Sequence, residues 1–136
     1  MKFTLILVFV FIFSFAKAQP KEMIGNDDMK IYTAVEREPE FHGGLEGFHR
    51  YIYNHVHYRA KLGDDLKTRL YIEMIIEKDG TLSHIKILKG ISKEFDRQVV
   101  IALKKCPKWQ PGVINDRPVR VRYILPIIFE FHDEDN

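Results

Sequence analysis

Arg69–Gly90 reads RLYIEMIIEKDGTLSHIKILKG, and its alternation decides the fold. Leu70, Ile72, Met74 and Ile76 fall on one side of an extended chain, and Arg69, Tyr71, Glu73, Ile75 and Glu77 on the other. A period of two predicts a strand with one core face and one mixed face. Lys78-Asp79-Gly80 supplies the reversal, because glycine accepts the positive φ that a hairpin turn requires. Leu82–Leu88 returns antiparallel with Ile85 and Ile87 toward the core, and Gly90 ends it.

On either side of this hairpin the period changes from 2 to 3.6. Upstream, Leu45, Phe48, Ile52 and Val56 give one apolar face to a helix over 45–57. Gly47 inside it costs about 1 kcal/mol relative to alanine, which is consistent with a close approach by a neighbour. Downstream, Ser92 is a fitting N-cap, and Phe95, Val99, Leu103 and Cys106 recur at helical spacing until Pro107 stops the helix. Trp109-Gln110-Pro111-Gly112 and Asn115-Asp116-Arg117-Pro118 read as turns, with the indole of Trp109 packed over the sheet. Phe41-His42-Gly43-Gly44 reads as a turn leading into the first helix, and Ile31–Val35 as a short strand.

Val119–Phe131 is the last element, with Val119, Val121, Tyr123, Leu125, Ile127, Phe129 and Phe131 sharing one face. It is long for a strand in a small domain, and it contains Pro126. Proline donates no ladder hydrogen bond, so Pro126 favours an edge or a bulge over a regular central strand. The reading is an α+β fold of two helices packed on a three-stranded antiparallel sheet, with the long strand at an edge. Such an edge offers unpaired N–H and C=O groups to an extended peptide.

The N-terminus begins MKFTLILVFVFIFSFAKA. Lys2, an apolar run from Phe3 and Ala16-Lys17-Ala18 make residues 1–18 a secretory signal peptide cleaved after Ala18. The rival is a retained anchor, but a membrane-crossing helix needs roughly 20 apolar residues, and the stretch Phe3–Ala16 is only 14 residues long. The expected organisation is a signal peptide over 1–18, a flexible leader over 19–30, one domain over 31–131 and a polar tail over 132–136. Two of the 21 basic residues lie in the signal, so the mature chain carries 19 basic and 19 acidic residues. That balance argues against nucleic acid and anionic lipid as partners.

Chemistry-bearing patterns are weak. Cys106 is the single cysteine and reads as a buried thiol. The six histidines lack metal-ligand spacing, and His55 and His57 diverge on a helix. Asp64-Asp65 and the carboxylates of 133–135 fall in a loop and a tail. No enzyme, cofactor or metal is expected.

Several stretches together carry a family resemblance: Pro39-Glu40-Phe41 with Gly43-Gly44, Ile75-Ile76-Glu77-Lys78-Asp79-Gly80, Ile85-Lys86-Ile87-Leu88-Lys89-Gly90, Pro107-Lys108-Trp109-Gln110-Pro111-Gly112, Arg117-Pro118-Val119-Arg120-Val121 and Tyr123-Ile124-Leu125-Pro126-Ile127-Ile128-Phe129. In this order the chain resembles the C-terminal domain of the TonB energy-transducer family, in the form common in Bacteroidetes-type bacteria. The resemblance implies a domain that binds the TonB box, a short segment of outer-membrane receptors, along the exposed edge of the last strand. It places the partner-binding residues at Arg120, Arg122, Tyr123, Ile124, Leu125, Pro126 and Ile128. The chain departs from the family in three places: a cleavable N-terminal segment, a leader too short to span a periplasm, and Tyr58-Arg59 where Tyr-Pro is common. The expectation is therefore a periplasmic, non-catalytic interaction domain linked to outer-membrane transport. The partner is an outer-membrane receptor or other envelope protein. The alternatives are a membrane-anchored transducer subunit and a self-associating structural module that forms a homodimer.

Overall fold

The hairpin at 69–90 forms the outer part of a mixed sheet in the computed structural model, which describes residues 22–23, 29–57 and 67–130. Its strands are β3 (Lys67–Ile76) and β4 (Leu82–Lys89). Leu70, Ile72, Met74 and Ile76 are fully buried on the helix side, each stabilising the fold by roughly 1.5–3 kcal/mol. The turn is held by Asp79, whose carboxylate accepts from the Thr81 N–H at 3.0 Å and from the Thr81 hydroxyl at 2.6 Å. Gly80 has φ 82°, and a Cβ there would come within 1.9 Å of the Trp109 carbonyl oxygen. The Trp109 N–H donates to the Gly80 carbonyl at 2.9 Å, so the turn is pinned to a segment 29 positions further along the chain.

Two helices lie on this sheet, as expected. The first, α1, spans Gly44–His55, and the second, α2, spans Lys93–Lys104. Phe48 and Ile52 of α1 and Phe95, Val99, Ala102 and Leu103 of α2 are buried, whereas Leu45 stays half-exposed. The Ser92 hydroxyl caps α2 by accepting from the Phe95 N–H at 3.2 Å. Gly47 lets α1 start close to the preceding turn: a Cβ there would meet the His42 carbonyl oxygen at 2.3 Å. The Tyr51 hydroxyl donates to the Ala102 carbonyl at 2.8 Å and ties the helices together.

The sheet corrects the expected three strands. Among the described residues it holds five in the order β1-β2-β6-β3-β4, where β1 is Glu22–Met23, β2 is Ile31–Tyr32 and β6 is Arg117–Glu130. A further strand, β5 (Gly112–Ile114), pairs with the start of β6. β2 lies within the short strand read over Ile31–Val35, whereas β1 and β5 are two and three residues long, too short to carry a hydrophobic period. One of them falls in the stretch read as a loose leader. β2 is parallel to β6, so the sheet is mixed rather than antiparallel throughout.

The long strand is also not a simple edge strand. β6 pairs with β3 in unbroken antiparallel register from Lys67↔Glu130 to Ile76↔Val121, with no bulge at Pro126. β5 pairs with Arg117–Val119 ahead of the ladder with β3, and the side away from β3 is covered by β2 at Arg120–Val121. Beyond Val121, no strand among the described residues pairs with that side. Residues 1–18 and the tail lie outside the described residues. No helix among the described residues is long and apolar enough to cross a membrane.

Candidate functional site

An uninterrupted pairing with β3 fixes which way each β6 residue faces. Odd-numbered side chains point to the helices: Val121, Leu125, Ile127 and Phe129 are buried, and Tyr123 is half-buried. Even-numbered side chains stand on the opposite, uncovered face. There Ile124 is 52 % and Ile128 38 % exposed, and Pro126 is exposed.

The seven residues singled out in the sequence therefore separate into three groups. Leu125 belongs to the core, and Tyr123 packs its ring against Trp109 at 5.9 Å. Burial first, and the Glu38 carboxylate second, raise the Tyr123 phenol above its ordinary value. Arg120 and Arg122 are engaged inside the sheet. The Arg120 guanidinium forks onto Glu77 at 2.7 and 3.0 Å and donates to the Met29 carbonyl at 2.9 Å. Arg122 donates to Glu73 of β3, at 2.9 Å from Nε and also from a terminal nitrogen. These are the strong, charge-assisted kind of hydrogen bond. The bond from Arg120 is the chief reason that the Glu77 carboxyl lies below its ordinary range, with Ser83 adding a further donor. Ile124, Pro126 and Ile128 remain as the group that offers surface.

The backbone of this stretch has a defined orientation. In a strand, the N–H and C=O of one residue point the same way, and successive residues alternate. Tyr53 of α1 identifies the outward set: its hydroxyl donates to the Ile128 carbonyl at 3.1 Å and accepts from the Glu130 N–H at 3.4 Å. Even-numbered residues thus direct their backbone groups away from β3. Pro126 belongs to that set, so its missing N–H removes a donor from the outer edge and none from the ladder with β3. This explains how a proline sits in the middle of a regular strand without a bulge. Where β2 leaves β6, a shallow cleft of about 370 Å³ opens, lined by Thr33, Glu38, Arg122, Tyr123 and Ile124.

The other candidates resolve into packing. Trp109 is buried and meets Phe41 at 5.4 Å and Phe48 at 5.1 Å between ring centroids. Cys106 is half-buried, and burial pushes its thiol up to about 11, although the Trp109 indole lowers it somewhat. Among the described residues no three His, Cys, Asp or Glu side chains converge on a point where a metal ion could bind.

The described residues thus form a sheet with helices on one face, whose longest strand no described strand pairs on its outer side beyond Val121. Residues 65–131 match the family model described as the Gram-negative bacterial TonB protein C-terminal, from the approach to β3 through the end of the last strand. This segment is similar to the C-terminal domains of TonB proteins, which are non-catalytic adaptor modules. No curated protein matches the chain.

Sequence reasoning missed Tyr53. Its position on α1 gives no hint that its hydroxyl reaches a strand 75 residues away.

Proposed function

We propose that this chain is an exported interaction domain that takes a short extended segment of an outer-membrane receptor, or of another envelope protein, onto the outer edge of β6. The observation that carries the reading is the stretch Ile124–Ile128, which has β3 on one side and no strand on the other among the described residues. Main-chain hydrogen bonds would supply much of the affinity, and side chains standing out of the sheet the specificity. Ile124 and Ile128 would form the apolar contact, since both are exposed beside the edge. Arg120 and Arg122 would act indirectly, because their ion pairs with Glu77 and Glu73 hold β6 flat against β3. Residues 1–18, read as an export signal, would place the domain in the periplasm, and the family match of residues 65–131 is in keeping with that compartment.

The test is affinity capture from envelope extract with the C-terminally tagged chain, beside an Ile124→Pro variant. The Ile124 N–H belongs to the outward set, so the variant removes a donor from the partner's side while leaving the ladder with β3 complete. Outer-membrane receptors are expected in the wild-type eluate and at least tenfold depleted with the variant, with both proteins giving folded circular dichroism spectra. Equal capture by both proteins would exclude the β6 edge. A concentration-dependent dimer without captured receptor would favour the self-associating module.

A further inference from the structure

The open part of β6 is bounded at both ends, and the bounds differ in kind. At one end stands the strand β2, which pairs at Arg120–Val121. At the other stands a single side chain. The Tyr53 hydroxyl donates to the Ile128 carbonyl and accepts from the Glu130 N–H, at 3.1 and 3.4 Å. A carbonyl and the N–H two positions later are the couple that one residue of a parallel strand engages on its neighbour, by its own N–H and C=O. The phenol satisfies the same couple with one oxygen. Its ring rests on Phe129, 5.4 Å between centroids, which holds the hydroxyl over the edge while leaving the side chain 45 % exposed.

We propose that Tyr53 is the register stop of this edge: it occupies the hydrogen-bonding place of one residue of an added strand, so a partner segment faces Ile124–Ile128 and ends there. The proposal rests on the edge-pairing reading given above. It commits the partner to a run of about five extended residues, with a carbonyl unmatched opposite Pro126, where the edge has no donor. A longer strand would have to displace the phenol from both backbone groups before it could pair beyond Ile128. The stop is also consistent with the protection that natural sheets give to long exposed edges.

The test uses the full chain, expressed and processed in a Gram-negative host and labelled with nitrogen-15, beside Tyr53→Phe, which keeps the ring and removes only the hydroxyl. The probes are acetylated and amidated alternating Thr-Val peptides, one of about five residues and one of about nine, chosen for extended conformation. In the wild type the two peptides are expected to bind within about twofold of each other, shifting the Ile124 and Ile128 amides but not that of Glu130. In Tyr53→Phe the longer peptide is expected to bind at least about fivefold more tightly than the shorter, and the Glu130 amide is expected to shift as well. The same length dependence in both proteins would overturn the stop while leaving edge pairing in place. No shift at any β6 amide in either protein would overturn edge pairing, and the stop with it.

Discussion

Gly80 and Cys106 show how much one position carries in so small a domain. Gly80 combines a positive φ with a backbone neighbour at contact distance, so Gly80→Ala adds conformational strain to a clash with the Trp109 carbonyl. The two effects together are expected to cost roughly 2–4 kcal/mol, read as a lower urea midpoint with an unchanged slope. Cys106 gives the opposite lesson. Its thiol is pushed up to about 11, chiefly by burial, so it stays protonated at neutral pH. The thiolate is the reacting form, and Cys106 in the native chain is therefore expected to react with a disulfide reagent at least about tenfold more slowly than in the urea-unfolded chain. Both residues stand out in the sequence, one in a turn and one alone of its kind. The sequence is silent on what surrounds them.

Elements are tied together here by charge as well as by packing. The Arg120–Glu77 fork clips the start of β6 to the end of β3 on the uncovered face, with 11 % and 23 % of the two side chains exposed. The hydrogen bond from Arg120 lowers the Glu77 carboxyl below its ordinary 4.5. A carboxyl lowered by folding contributes stability that is complete above the unfolded value and is lost as pH falls through the folded one. The wild type is therefore expected to lose stability below about pH 4.5, and Arg120→Met to lose less over the same interval, since its Glu77 is held down less. Urea midpoints at about pH 7 and about pH 3 check this. The same scale shows where the alternation of β3 misleads. Ile75 falls on the mixed face by pattern, yet it is only 7 % exposed and lies outside the helix-side core, opposite Arg122 in the β3–β6 register. A strand's period says which face a residue takes, and its neighbours on the adjacent strands say whether that face is wet.

Across the whole molecule one side chain joins most of the parts. Trp109 touches Phe41 before α1, Phe48 on it and Tyr123 on β6, while its backbone holds the hairpin turn at Gly80. Trp109→Ala is expected to cost about 3–5 kcal/mol, a large share of the 5–15 kcal/mol typical of a domain. Because the indole meets both a helix and the sheet, far-ultraviolet dichroism and aromatic-side-chain signals are expected to shift to the same lower melting temperature. Separate transitions would mean that α1 and the sheet unfold independently.

The sequence by itself determined the two helices, the hairpin and the two faces of the last strand, because each rests on a period of several residues and on local turn or cap chemistry. Ser92 caps α2, Gly80 turns the hairpin, and Leu70 to Ile76 bury every second side chain, all within reach of a short window of sequence. Only the tertiary structure decided the rest. The two-residue strand β1 exists because it pairs with what lies beside it, not because of any pattern of its own, and the short strand read over Ile31–Val35 is cut to Ile31–Tyr32, where it meets β6. For the same reason the outer side of β6 is paired by β2 at Arg120–Val121 and by no described strand at Ile124–Ile128, although both parts alternate alike. Tyr53 belongs here too: an exposed aromatic in a helix meets the backbone of the last strand only when folding carries it across 75 residues to Ile128. Periodicity is local, whereas hydrogen-bonding partners are set by which segments the core brings together.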